Sequence, residues 1–157
     1  MPFTFFGDNN KTVELKDSKI AGAGTGLFAK KKFKKDEFIC WYFGVLVDKD
    51  LVENEYYDSD YLLKNPHHLD FIIDADDPLS CFGRYANDSL GRKKNNSRFE
   101  FYVDINTASL VATKDIKKGD EIYVDYGTDF WLEERRYNKL SNEDKAYVER
   151  RDNGEEL

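Results

Sequence analysis

Between Thr12 and Tyr126 no apolar run exceeds six residues, and clusters of glycine, aspartate, asparagine and serine separate the runs. That cadence excludes long helices and the continuous buried strands of a parallel sheet. It specifies a body of many short strands joined by turns. Val13 and Leu15 alternate with polar neighbours, Leu27-Phe28-Ala29 follows a glycine cluster, and Phe38 to Phe43 ("FICWYF") reads as a strand. "FIIDA" (71–75), "FEFYVD" (99–104), "SLVATKDI" (109–116) and "EIYVDY" (121–126) complete the predicted strands, with Ile105-Asn106-Thr107 as a hairpin connection. The stretch from Asp48 to Asp70 is polar and irregular and reads as an insertion with one helical turn. A helical period enters only after Asp129, in "FWLEERRYNKL". Ser141, with Asp144 three residues on, is a capping-box signal for a second helix in "NEDKAYVERR". The expected division is an extension (1–11), a β body (12–132) interrupted by the 48–70 insertion, and a helical tail (133–157).

The 157 residues suffice for one domain with a real core, and aromatic residues supply 15% of them. A net charge of −7 disfavours phosphate backbones and favours basic partners such as lysine-rich peptides. No apolar run approaches the length of a membrane span and no signal-peptide pattern opens the chain, so the expectation is a soluble intracellular protein, nuclear or cytoplasmic, with no membrane partner. Cys40 and Cys81 lack CxxC spacing and read as free thiols. The asparagine triplets at Asn10, Asn87 and Asn95 would need a secretory route to be glycosylated. "KKKFKK" (30–35) reads as a solvated turn with Phe33 as a core anchor, rather than a localisation patch. "DADD" (74–77) is not a calcium loop, because Leu79 and Tyr85 stand where the loop needs glycine and glutamate. His67-His68 lacks partners at ligand spacing, and no metal is expected.

Four pieces remain: "GAGTGLFA" (22–29), "YFG" (42–44), "RYANDS" (84–89) and "GDEIYVDYG" (119–127). The first is a glycine turn before a strand, where backbone can approach a small ligand closely. It is no dinucleotide fingerprint, because no helix opens after it. Together and in this order, the four resemble the motifs of the SET-domain family of protein lysine methyltransferases: GxG with an apolar–aromatic pair, YxG, R[FY]xNHS with a downstream asparagine, and GEE[IL]xxxYG. Asn96 stands as the downstream asparagine, and the likeness covers roughly residues 12 to 132. Asp88 stands where the family usually has histidine. The Asn87–Asn96 gap is longer than usual, which is similar to the PR-domain branch. "YGTDFWLEERRY" resembles the tail of minimal, virus-type members, and no cysteine-rich segment follows it.

The resemblance implies a mainly β fold of the β-clip kind, small curled sheets with a pseudoknot and short C-terminal helices. It implies S-adenosylmethionine as methyl donor and a basic protein or peptide, by default a histone tail, as substrate. Carried over by position, Gly24, Thr25 and Gly26 would line the methionine end of the donor. Arg84, Asn87 and Asp88 would border it, mostly through backbone atoms, and Trp131, with Phe130 beside it, would stack on the adenine. Tyr42, Val124 and Tyr126 would wall the lysine channel, with Phe130 also on the substrate side. The chemistry is an in-line displacement by a neutral amine, and lysine, with a pKa of about 10.4, must first lose its proton. An apolar channel and a nearby sulfonium both disfavour the ammonium, so the remaining task is alignment, which an uncharged phenol at Tyr126 can perform. Val124, two residues before that tyrosine, implies a channel roomy enough for di- and trimethylation. The alternative is a degenerate module that binds a basic peptide without catalysis, and Asp88 is the feature that favours it.

Overall fold

The computed structural model describes residues 11–54, 59–64 and 70–155. Among the described residues, nine short strands form three antiparallel three-stranded sheets. The first contains β1 (Val13–Asp17), β2 (Thr25–Ala29) and β9 (Glu121–Ile122), in the order β1-β2-β9. In the second, β8 (Thr107–Ala112) lies between β3 (Phe38–Tyr42) and β7 (Ser97–Tyr102). In the third, β6 (Phe71–Asp74) lies between β4 (Val45–Asp48) and β5 (Leu62–Lys64). Every residue of β8 is buried, and its small side chains Ala108, Ser109 and Ala112 let both faces be covered. Leu27, Phe33, Ile39, Leu110, Ile116 and Ile122 from the first two sheets and their turns meet in the main core, each 2% exposed or less. Phe33 is the anchor expected within the lysine run: it bridges Ile116 while its neighbours face solvent.

Gly44 shows what the "YFG" motif contributes to the architecture. A Cβ there would lie 2.0 Å from the carbonyl oxygen of Asp74. Only glycine lets the link from β3 to β4 cross the end of β6 that closely.

Several expectations need correction. The predicted last strand pairs only at Glu121–Ile122; Tyr123 makes one parallel bridge to Asn87, and the chain beyond it leaves the sheet. Thr107 belongs to β8, and the turn before it is a 3-10 segment, Val103–Ile105. The 48–70 insertion holds the expected helical turn, α1 (Lys49–Glu53), but also β5, which pairs with β6. His67-His68 lies outside the described residues. The predicted helix after Asp129 breaks at Glu133 into α2 (Thr128–Leu132) and α3 (Glu134–Tyr137). Ser141 caps α4 (Asn142–Asp152) as expected, accepting from the Asp144 amide at 3.1 Å. The Asp144 carboxylate does not return to the cap, because it binds Arg92 at 2.8 Å.

The sheets are joined by a knot. The segment from Asn87 to Ser97 wraps the chain that follows β9. Val124 donates to the Asn87 carbonyl at 3.0 Å, and the amides of Asn96 and Ser97 both donate to the Tyr123 carbonyl. The side chain of Asn96, 7% exposed, closes the loop twice, accepting from the Tyr123 amide and donating to the Glu121 carbonyl, each at 2.9 Å. Replacing it with leucine strands two buried backbone groups, each worth about 1–3 kcal/mol. Asn96→Leu is therefore expected to lose about 2–5 kcal/mol in chemical denaturation; a loss below about 1 kcal/mol would show that the knot closes without it.

Candidate active site

The knot ends at Tyr126. Its amide donates to Asp88 Oδ2 at 3.1 Å, and its hydroxyl donates to the Ala86 carbonyl at 2.7 Å. Gly127, at φ +85°, then turns the chain into α2, a conformation other residues adopt only under strain. That turn brings Phe130 edge-on to the Tyr126 ring at 5.0 Å and stacks Trp131 on it at 5.8 Å and 19°. Burial of the hydroxyl, reinforced by the Asp88 carboxylate, pushes the Tyr126 pKa well above that of a free phenol, so the group stays neutral at physiological pH.

Asp88 holds this arrangement with both oxygens. Oδ1 accepts from the Leu90 amide at 2.9 Å, forming a local Asx turn. Oδ2 accepts from Tyr126 and from Trp131 Nε1, the latter at 2.9 Å. All three partners are donors, so the ionised carboxylate suits the position. Burial nevertheless raises its pKa, against the lowering effect of those hydrogen bonds.

A narrow cavity of about 50 Å³ lies against Tyr126, walled by Tyr42, Tyr61, Leu63, Phe99 and Phe130. The Tyr42 hydroxyl donates to the Tyr61 carbonyl at 2.8 Å, and burial keeps it neutral too. A wider cleft of about 340 Å³ shares Tyr126 and Phe130 and continues along Trp131, Arg136 and Leu140. At the rim of both, the Asp60 carboxylate accepts from Arg135 and Arg136, each at 3.1 Å. Arg136 also donates to the Ser59 carbonyl at 3.1 Å and lies 4.0 Å over the Phe130 ring.

A half-buried neutral tyrosine at the end of a knot, facing an aromatic cavity, is a construction with known counterparts. The profile of the SET domain matches residues 24–127. The chain belongs to the SET-domain family. Its fold also superposes on a humanized mutant of the Chaetomium thermophilum Polycomb Repressive Complex 2 solved with the inhibitor GSK126, with a TM-score of 0.62, 27% identity and coverage of 76% of this chain. The chain spans only 15% of that much longer chain.

Within this SET domain the residues singled out in the sequence fall into three groups. Tyr42, Tyr126 and Phe130 line the narrow cavity together, and Trp131 lines the cleft beside it. Asn87 and Asp88 stand at the knot, and Asn87 Nδ2 donates to the Thr25 carbonyl at 3.0 Å, tying the Gly24-Thr25-Gly26 turn to it. Arg84 offers the cavity little of its charge: the guanidinium donates to the Ala75 and Asp76 carbonyls and lies 3.8 Å over the Tyr61 ring. Val124 is the exception. The chain around it is threaded through the knot rather than extended in a sheet, and strand alternation does not apply. Its side chain is 1% exposed in the main core, beneath Tyr126, and lines neither cavity.

Two contributors were not singled out in the sequence. Glu121, 3% exposed, accepts from the Ser18 hydroxyl at 2.7 Å and the Lys19 amide at 2.8 Å, and so braces the turn that carries Gly24. It also accepts from the Tyr123 hydroxyl; burial, together with that carboxylate, raises the Tyr123 pKa to about 12. The other contributor is the Asp60–Arg136 clasp, whose two halves lie 76 residues apart in sequence. Among the described residues no cluster of His, Cys, Asp and Glu could hold a metal ion.

Because the folded state raises the Asp88 pKa, the fold takes up a proton there at a higher pH than the unfolded chain does. This contribution favours folding below the unfolded pKa and is lost as pH rises through the folded one. Protonation also weakens the bond from Trp131. In a Trp41→Phe background, Trp131 emission is expected to titrate with a midpoint above the ordinary aspartate value of about 3.9, and Asp88→Ala should abolish the transition. A midpoint at or below that value would contradict the assignment.

Proposed function

We propose that the chain is a protein lysine N-methyltransferase that uses S-adenosylmethionine, acts on a basic peptide of the histone-tail kind, and has Tyr126 as its catalytic residue. The observation that carries the reading is the Tyr126 hydroxyl, which gives its proton to the Ala86 carbonyl and lines an aromatic cavity. Its oxygen lone pairs are left to orient an amine.

The residues present fit the donor. Beyond its chain neighbours, a Cβ built on Gly24 meets nothing within 4 Å, so the turn is open to a ligand, and Asn87 ties that turn to the knot. Trp131 and Phe130 offer ring faces to a base. When bound, S-adenosylmethionine supplies a methyl group made electrophilic by a sulfonium. Gly24, Thr25 and Gly26 would hold its methionine end, with Arg84, Asn87 and Asp88 along it. Trp131 would give up its stack on Tyr126 for the adenine.

The chain's own work is then positional. Tyr42, Phe99 and Phe130 exclude water from the lysine stem and disfavour its ammonium form. Tyr126 fixes the amine for in-line attack, and a phenol with so high a pKa does not act as the base. Proton loss from the substrate passes to water. Val124 shapes the channel only by setting where the Tyr126 ring rests. The residues available to decide how many methyl groups fit are those of the cavity wall.

Tyr126→Phe keeps the ring contacts and removes the orienting oxygen. A loss of about 10²-fold or more in kcat is expected, with an unchanged circular dichroism spectrum, since alignment supplies several kcal/mol of such barriers. Near wild-type turnover would sink the reading, and donor binding by calorimetry without any methylated product would favour a peptide-binding module instead.

The pH profile tests the assignment of proton loss. With no enzymatic base, kcat/KM should rise about tenfold per pH unit from pH 7 until the substrate lysine, with its pKa of about 10.4, is neutral. Ionisation of Tyr126 should add no falling limb below pH 10. A bell centred near neutrality would require a base that this account does not contain.

A further inference from the structure

The net charge conceals a segregation. Five lysines lie between Lys30 and Lys35, and Lys114, Lys117 and Lys118 form a second group. The Phe33–Ile116 bridge puts the two groups side by side: each residue donates its amide to the other's carbonyl, at 2.9 and 2.8 Å. The Gly119 amide donates to the Ala29 carbonyl at 2.8 Å and closes the other end. Phe33 and Ile116 turn inward, 1% exposed, and leave the lysines outside.

Eight lysines thus share one face with four carboxylates, Asp36, Glu37, Asp115 and Asp120. Three of those acids are turned to backbone amides: Glu37 to Lys34, Asp115 to Lys35 and Asp120 to Lys117. Lys31 is in an ion pair on this face, with Glu37 at 2.6 Å. The ammonium groups of Lys32, Lys34, Lys35, Lys114, Lys117 and Lys118 are exposed and in no ion pair among the described residues.

We infer that this face is a docking surface for the phosphate backbone of double-stranded nucleic acid, bound without regard to sequence. The whole-chain charge argues against nucleic acid only if it acts as a single sum. At physiological salt the screening length is about 8 Å, so a polyanion laid on the lysine face responds chiefly to the lysines beneath it. The run from Lys30 to Lys35 spans at most about 20 Å. A duplex carries one charge per about 1.7 Å of axis, so several phosphates lie within that reach. The exposed groups of the two turns are ammonium groups, which suits backbone contact rather than base readout. The lysines stand on the turns after β2 and β8, and none lines the cavity at Tyr126, so the surface can be occupied independently of the proposed active site.

The test is fluorescence anisotropy of a labelled mixed-sequence 20-base-pair DNA duplex with the full chain. Saturable binding is expected at 50 mM salt, weakening by about 10³-fold at 200 mM if six phosphates are contacted. Lys32→Glu with Lys34→Glu and Lys35→Glu should weaken binding at least tenfold and make the salt dependence shallower. Lys114→Glu with Lys117→Glu and Lys118→Glu should do the same. A control with the same charge change elsewhere, Lys64→Glu with Lys94→Glu and Lys139→Glu, should lose much less. No binding at 50 mM salt, equal loss in the control, or binding to phosphatidylserine vesicles or polyglutamate but not to the duplex would overturn the inference. None of these readouts involves the methyl donor or turnover, so their failure leaves the methyltransferase reading standing, and a failed methylation assay leaves this one.

Discussion

The side-chain amide of Asn96 is the fastening on which the site depends. It replaces strand pairing where pairing stops: past Ile122 the chain has no sheet partner, and without one its backbone groups would be buried unsatisfied. Asn96 takes the Tyr123 amide and gives to the Glu121 carbonyl, while Ser97 gives both its amide and its hydroxyl to the Tyr123 carbonyl. An asparagine suits this because it carries a donor and an acceptor on one planar group, matching the alternating amide and carbonyl of the chain it clasps. Tyr126 inherits its position from that clasp. Its ring can be rigid because the backbone three residues earlier is held on two sides.

Asp88 is the second fastening, and its chemistry differs from that of the histidine usual in the family. A carboxylate accepts and never donates when ionised, so every group facing it must be a donor. Leu90, Tyr126 and Trp131 meet that condition. The cost is a partly buried charge, visible in the raised pKa. The gain is that one side chain fixes both the Tyr126 backbone and the Trp131 indole. Asp125, next to Tyr126, pairs with Arg151 of α4, which fastens the tail helix to the same turn. The absence of the histidine therefore does not leave the knot unbraced.

Much of this could be read in the sequence, and what could not has a physical cause. Short strands were legible because periodicity and turn residues are local signals. The four motifs were legible because each fixes a local backbone event, such as the crossing at Gly44. The last strand was overextended because "EIYVDY" alternates as a strand would, while its backbone bonds go to side chains and to the crossing segment, which no periodicity records. The same error placed Val124 in the channel wall. The Asp48–Asp70 segment gave no signal for β5 or for the roles of Asp60 and Tyr61. Its partners, β6 and α3, are specified only by tertiary contact.

The two halves of the clasp over the cleft suggest how such a site divides its labour. Neither Asp60 nor Arg136 belongs to the four motifs, yet Arg136, with a side chain 11% exposed, carries Phe130 on its guanidinium and holds the Ser59–Asp60 turn against the tail. Arginine fits the role better than lysine: its planar fork reaches a carbonyl and a carboxylate at once while its face lies on a ring. The motifs thus supply the phenol and the knot that aims it, and the insertion and tail supply walls of the cleft beside it. The knot holds the Tyr126 backbone and the Ala86 carbonyl holds its hydroxyl, so changes in the clasp act on the entrance through Phe130, which packs edge-on to the Tyr126 ring.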